Sequence, residues 1–212
     1  VEPREELVKR YRELIESGLG TGSSGNLSMR VDAGMLITPT GIPAGELLPE
    51  QVVHMSVNGE VSPGQLIPSS EWHMHAVVYR VRPEIGGVVH CHSRYATILA
   101  CSHLPIPAIH YMIAVTGSNE VPVAPYARFG SNELAESVVE GLTGRLATLL
   151  ANHGQLSIGK DLDEAMRVAV EVEELASIYW GTLAIGGGQT LSKRDMAEVQ
   201  DAFTSYGQQG ET

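Results

Sequence analysis

The chain has 212 residues, 43% hydrophobic, 18% charged and 5% aromatic, which suits one compact domain over 1–212 and excludes a disordered or repetitive chain. A formal net charge of −11 argues against a nucleic-acid partner, because a phosphate backbone needs a basic footprint, but it leaves room for a small anion met by local N–H groups and a metal. No apolar run approaches the roughly 20 residues that span a bilayer, the polar N-terminus shows no leader, and Cys91 and Cys101, read as reduced thiols, fit a cytoplasmic protein.

Residues 3–17 carry Leu7, Val8, Tyr11, Leu14 and Ile15 at helical spacing, ended by Gly18 and Gly20. A Gly/Ser loop, 20–25, follows; residues 26–31 and 35–38 read as strands joined by Asp32-Ala33-Gly34. Residues 58–70 are a Gly/Pro/Ser-rich connection. A helix is predicted from Ser69 or Ser70, either a good N-cap, to Val81, with Pro83 stopping it. Residues 86–92 read as a valine-rich strand, 95–102 as a helix and 121–125 as a short extended piece. A helix over 132–142, capped by Ser131 or Asn132, precedes two strands, 146–152 and 155–159, around a His-Gly turn. The longest helix spans 162–185, capped by Asp161 and ended by glycines, and a last helix spans 192–206. Hairpin-connected strands and irregular alternation predict an α/β (α+β-like) fold. Its central sheet is mixed and largely antiparallel, with helices on both faces, and is not a doubly wound parallel sheet.

Gly87-Val88-Val89-His90-Cys91-His92 is the most informative stretch. On a strand, His90 and His92 share one face and can share one metal ion. His153, ending the strand 146–152, is the candidate third ligand. Three imidazoles leave coordination positions open, as a catalytic site requires, and suit zinc or a nearby first-row ion. The bland reading of a histidine pair on a strand is hydrogen-bonded structure, and the other five histidines invite only that. His54 and His110 read as satisfied polar groups and His103 as following a helix. His73 and His75 lie on the helix after Glu71. His75 shares a helical face with Glu71; packing is its first reading and orientation of Glu71 its second. The chain lacks His-Glu-x-x-His and Pro-Cys-x-x-Cys, so neither a zincin protease nor a zinc deaminase is supported.

Gly20-Thr-Gly22-Ser-Ser-Gly25 matches the dinucleotide-binding pattern letter for letter, but a helix precedes it and a strand follows, the reverse of what that motif needs. The loop can still present backbone N–H groups to an anion, with Ser23, Ser24 and Asn26 as side-chain donors. Thr38-Pro-Thr40-Gly41 is a second such place. Ser69-Ser70, at a predicted helix start, is a third. Each alone is an ordinary turn or cap; three beside a candidate metal site point to a phosphate.

These residues, in order, resemble the zinc-dependent class II sugar-phosphate aldolase family. The resemblance runs through Gly25-Asn26-Leu27-Ser28, Leu36-Ile-Thr-Pro-Thr-Gly-Ile-Pro43, Pro68-Ser-Ser-Glu-Trp72, Val88-Val-His-Cys-His92, Ile106-Pro-Ala-Ile-His-Tyr-Met-Ile113, Ala124-Pro-Tyr-Ala127, Ala147-Thr-Leu-Leu150 and His153-Gly154. It implies His90, His92 and His153 as ligands of one Zn2+ per subunit and Glu71 as catalytic acid/base. It implies a phosphate site of Ser23, Asn26, Thr40, Gly41, Ser69 and Ser70. Tyr111 matches a tyrosine near the aldehyde part of the substrate, and Tyr206 one in the C-terminal tail. It further implies a homotetramer with active sites between subunits. Two positions depart from the pattern: Ser23 stands where the family has threonine, keeping the hydroxyl, and His73 follows Glu-Trp.

The reaction so implied is reversible retro-aldol cleavage of a ketose 1-phosphate, L-fuculose 1-phosphate to dihydroxyacetone phosphate and L-lactaldehyde or a close analogue. The rivals within the family are an L-ribulose-5-phosphate 4-epimerase, a rhamnulose-1-phosphate aldolase and a methylthio-sugar-phosphate dehydratase. Epimerases carry aspartate where this chain has Glu71. A non-catalytic metal-binding module is the rival of another class, weakened by the missing fourth protein ligand. A cupin is opposed by a helix after His92.

Overall fold

The computed structural model describes residues 2–204. The first helix, α1 (Pro3–Glu16), starts with a proline, whose missing N–H costs nothing in the first turn, and buries Leu7, Val8, Tyr11 and Leu14. A seven-stranded sheet follows, built from β1 (Asn26–Val31), β2 (Gly34–Ile37), β3 (Val53–Met55), β4 (Gly87–Cys91), β5 (Val123–Ala124), β6 (Ala147–Leu150) and β7 (Gly154–Gly159). Their order is β3-β2-β1-β4-β7-β6-β5. The pairing of β5 with β6 is parallel and the others are antiparallel, as the hairpin-rich sequence predicts.

Alternation along the strands builds two apolar layers. Met35, Ile37, Val88, Leu156 and Ile158 pack under α2 (Trp72–Val81) and α4 (Asn132–Gly141). Leu27, Leu36, Val89 and Cys91 point the other way, against α1 and α5 (Leu162–Ala184). Ala147 and Leu149 extend that second face, with α3 (Arg94–Cys101) and α6 (Lys193–Thr204) completing the cover around Met196. The expected helices on both faces are therefore present. No helix among the described residues is long and apolar enough to cross a membrane.

The differences from expectation have local causes. Helix α2 begins at Trp72, with Glu71 as its N-cap, rather than at Ser69 or Ser70. Pro68 and Ser69 are held extended against the neighbouring loop by Ser69 N–H to Thr38 O at 3.0 Å and Thr40 N–H to Ile67 O at 3.1 Å. Strand β3 and the 3-10 turns Pro49–Gln51 and Tyr111–Thr116 had no counterpart in the sequence reading. A three-residue strand is too short to show a period. Its outer edge is satisfied by a side chain: Gln65 accepts from His54 N–H at 2.6 Å and donates to His54 O at 2.9 Å. Strands β6 and β7 are shorter and longer than expected, meeting through a three-residue loop, 151–153, in which Asn152 takes φ 55°.

Candidate metal centre

Four elements deliver the site to one end of the sheet. His90 is the fourth residue of β4, and alternation turns it toward α2. His92 lies one residue beyond the strand, on the same side. His153 closes the β6–β7 loop, and its N–H bonds Leu150 O at 3.0 Å. Glu71 caps α2. A nitrogen or oxygen from each of Glu71, His90, His92 and His153 lies within 4.8 Å of the others. The three imidazole rings stand 4.7, 4.9 and 5.0 Å apart, centroid to centroid. Of the described His, Cys, Asp and Glu side chains, these form the group able to hold a metal.

The donor chemistry fits a divalent cation. His90 Nδ1 lies 2.8 Å from Gln155 O, and a carbonyl only accepts, so the ring hydrogen sits on Nδ1 and Nε2 is bare. That bare Nε2 faces His92 Nε2 at 3.0 Å and Glu71 Oε2 at 3.3 Å. Glu71 Oε1 lies 3.2 Å from His153 Nε2, yet is buried without a hydrogen bond. A cation seated among these atoms would meet a nitrogen or oxygen from each of the four side chains. Three imidazoles and a carboxylate suit zinc and its first-row neighbours. The backbone carbonyl behind His90 is the outer partner that such a ligand ordinarily has. Burial alone would raise the Glu71 carboxyl, but positive charge placed at His90 and His153, where a bound cation would also put it, overrides burial and holds the carboxyl well below the usual carboxylate range.

Two glycines let the backbones close around the ligands. A Cβ at Gly154 would strike Cys91 O and come within 2.9 Å of the His92 ring. At Gly25, where φ is +83°, it would lie 2.8 Å from His90 O.

The loops expected to bind phosphate lie beside this centre. The antiparallel bridge between Pro39 and Pro68 sets Thr38 against Ser69 and Thr40 against Ile67. Thr38 N–H bonds Leu27 O at 3.1 Å and ties them to the start of β1, where Asn26 stands. Thr40, Gly41 and Ser70 are exposed and Ser69 is buried, its hydroxyl accepting from Glu71 N–H at 3.3 Å. Ser23 lies on an exposed turn closed by Ser24 on Thr21. In the same loop, Gly20 and Thr21 line a hollow of about 580 Å³ with His92, Arg94 and Thr97. Asn26 is buried, and its side chain serves Glu71, donating to Oε2 at 2.9 Å.

A second cleft, about 320 Å³, opens over Glu71, His92 and His153 and is walled by Ser70, Tyr126, Ala127, Phe129 and Asn152. Tyr126 and Phe129 are 65% and 59% exposed. Tyr126 stands in the Ala124–Ala127 block of the resemblance without an assigned role, and Phe129 was not singled out in the sequence. Tyr111 does not line this cleft; it is 47% exposed, against His110 and Phe203. Tyr206 lies outside the described residues. His110 accepts from Met112 N–H as a cap at 3.4 Å, and His103 bonds Asn152 at 2.7 Å, so both are structural as expected. His73 stacks on Trp72 at 3.8 Å. His75, read first as packing, is instead completely buried and hydrogen-bonded to Asn26 and Ser28.

Comparison with known proteins converges on one group. Residues 5–180 match the class II aldolase and adducin N-terminal domain family. The chain is 42% identical over 204 residues to a 5-methylthioribulose-1-phosphate/5-deoxyribulose-1-phosphate aldolase of Rhodospirillum rubrum, covering 96% of this chain and 92% of that protein. It is 44% identical over 203 residues to an L-fuculose phosphate aldolase of Escherichia coli, covering 95% and 94%. Among solved structures, an L-fuculose 1-phosphate aldolase superposes with a TM-score of 0.92 at 40% identity over 96% of each chain.

Proposed function

The chain belongs to the class II aldolase and adducin family as a class II sugar-phosphate aldolase, an aldehyde-lyase, and from that premise we propose that it cleaves a ketose 1-phosphate whose aldehyde half ends in an apolar group. The observation that carries the reading is the convergence of three histidines and Glu71 under a cleft with aromatic walls. L-Fuculose 1-phosphate, 5-deoxyribulose 1-phosphate and 5-methylthioribulose 1-phosphate all end in a methyl or methylthio group, which Tyr126 and Phe129 can cover. L-Fuculose 1-phosphate, giving L-lactaldehyde, is the first candidate.

His90, His92 and His153 would hold the ion, zinc in this reading, one per subunit. When bound, it supplies Lewis-acid stabilisation of the negative charge that develops on the ketose oxygens. Thr40, Gly41, Ser69 and Ser70, with Ser23 and Asn26, form the phosphate cradle, and holding that remote group positions the reacting carbons. In cleavage a base takes the C4 hydroxyl proton, and the O–H pair forms the aldehyde C=O. The C3–C4 pair forms the C2–C3 double bond of the enediolate as the C2 carbonyl pair moves onto its oxygen, and the aldehyde departs. Glu71 then delivers a proton to C3, yielding dihydroxyacetone phosphate; in synthesis it removes that proton. Tyr111 and Tyr206 act on the aldehyde half from a neighbouring copy in a homotetramer, consistent with the exposure of Tyr111. The location that goes with this chemistry and two free cysteines is the cytoplasm.

The test is release of dihydroxyacetone phosphate from the three sugars, before and after chelation. Chelator-sensitive release is expected from at least one, and the ranking names the substrate. Glu71→Gln should keep its metal and lose turnover by about 100-fold or more. Metal-independent release, or a fully active Glu71→Gln enzyme, removes the mechanism.

A further inference from the structure

Behind the four metal-site side chains runs a line of polar groups that a metal site does not require. Asn26 Nδ2 donates to Glu71 Oε2 at 2.9 Å, and Asn26 Oδ1 meets His75 Nε2 at 2.6 Å. His75 Nδ1 meets Ser28 Oγ at 2.7 Å, and Ser28 Oγ meets the Tyr79 hydroxyl at 2.8 Å. All five residues are buried, Ser28 and His75 completely. Helix α2 supplies Glu71, His75 and Tyr79 from successive turns of one face. Strand β1 supplies Asn26 and Ser28, which share a face of the sheet.

The polarity of this line is forced from the Glu71 end. An ionised carboxylate only accepts, so Asn26 turns its NH2 to Glu71 and its oxygen to His75. His75 Nε2 must then carry the hydrogen. Burial lowers His75 to about 3, with His90 pushing the same way and Glu71 opposing, so the imidazole is neutral and Nδ1 accepts. Ser28 gives its hydrogen to Nδ1 and accepts from Tyr79. Each of the four links then has one donor and one acceptor, and a buried network paired in this way holds a single geometry.

We propose that His75 is a positioning residue: locked as the neutral Nε2–H tautomer by Ser28 and Tyr79, it aims the Asn26 amide, which fixes Glu71 Oε2 and leaves Oε1 to exchange the substrate proton. Oε1 is the carboxylate oxygen that is buried without a hydrogen bond. His75 touches none of the three histidine ligands, so its loss spares the metal and disturbs the acid/base. The catalytic consequence rests on the aldolase reading; the tautomer does not.

Two measurements separate the parts. Nitrogen-15 NMR of histidine-labelled protein is expected to show His75 as the neutral Nε2–H tautomer from about pH 5 to about pH 9. An Nδ1–H tautomer or an imidazolium in that range overturns the proposal, whatever the enzyme turns over. The second measurement is deuterium exchange into dihydroxyacetone phosphate alone. There Glu71 takes a hydrogen from the hydroxymethyl carbon and returns a deuteron from solvent, so the readout does not depend on which aldehyde is used. His75→Gln places an amide donor near Nε2 and should keep exchange within about 3-fold of wild type. His75→Asn satisfies Ser28 but does not reach Asn26; exchange and cleavage kcat should fall roughly 10- to 100-fold, with metal content and KM unchanged. Equal losses in the two variants, or wild-type exchange in His75→Asn, overturn the positioning role.

Discussion

At the residue scale, the histidines divide by what their second nitrogen touches. His90 spends Nδ1 on Gln155 O and keeps Nε2 for a metal; His75 spends both nitrogens on Asn26 and Ser28. His75 also carries a pH signature. Its ordinary value of 6.5 is lowered to about 3 in the fold. Between those values the unfolded chain binds a proton that the folded one refuses, so this contribution to stability is full above 6.5 and is lost as pH falls toward 3. The slope is about 1.4 kcal/mol per pH unit for one group. Urea unfolding of the metal-free protein at about pH 7 and about pH 5 should show wild type losing roughly 2 kcal/mol more than His75→Gln. Equal losses would mean that His75 is charged in the folded protein.

At the element scale, the turn that carries His92 into α3 is pinned from behind by α5 and β7. Glu173 on α5 accepts from Tyr95 N–H and Ala96 N–H, both at 2.9 Å, satisfying two of the free donors at the start of α3. Gln155 on β7 donates to Ser93 Oγ at 2.8 Å and to Ala169 O at 3.1 Å. A carboxylate here also meets the positive end of the helix dipole. Glu173→Ala should therefore cost about 1–3 kcal/mol, because it strands two partly buried donors. It should also weaken metal retention, since His92 is only one residue before Ser93. A variant with wild-type urea midpoint and wild-type metal content would show that the turn holds itself.

At the scale of the whole molecule, the site lies where two separately packed layers meet the end of the sheet. The layer under α2 and α4 and the layer under α1, α3 and α5 are both built of apolar contacts that do not involve the ligands. Removing the ion should thus leave the fold in place while deleting a ligand-linked share of stability. Dialysis against a chelator is expected to abolish turnover, keep the far-UV circular dichroism, and lower Tm by several degrees, with zinc restoring both activity and Tm. Loss of the circular dichroism on chelation would make the ion structural instead of catalytic.

Local information settled much of this protein. The spacing of Leu7, Val8, Tyr11 and Leu14 specified α1, and Asp161 was readable as the cap of α5, where it accepts from Glu164 N–H at 2.7 Å. The period of two placed His90 and His92 on one face, and hairpin spacing specified an antiparallel sheet, because each of these depends on neighbours a few residues away. His153 at the end of the strand 146–152 was readable as the candidate third ligand, and the resemblance added Glu71. What stayed hidden depends on partners distant in sequence. His75 meets Ser28 and Asn26 across 47 and 49 residues, and Asn26 meets Glu71 across 45. A lone histidine on a helix carries no mark of such partners, so packing was the natural reading. Tyr126 and Phe129 likewise gain meaning only from the cleft they wall. Sequence by itself determined the elements and the ligand pair, since backbone geometry fixes which neighbours share a face; tertiary structure decided which distant side chains complete the site, since only packing β1 beneath α2 brings them within hydrogen-bond reach.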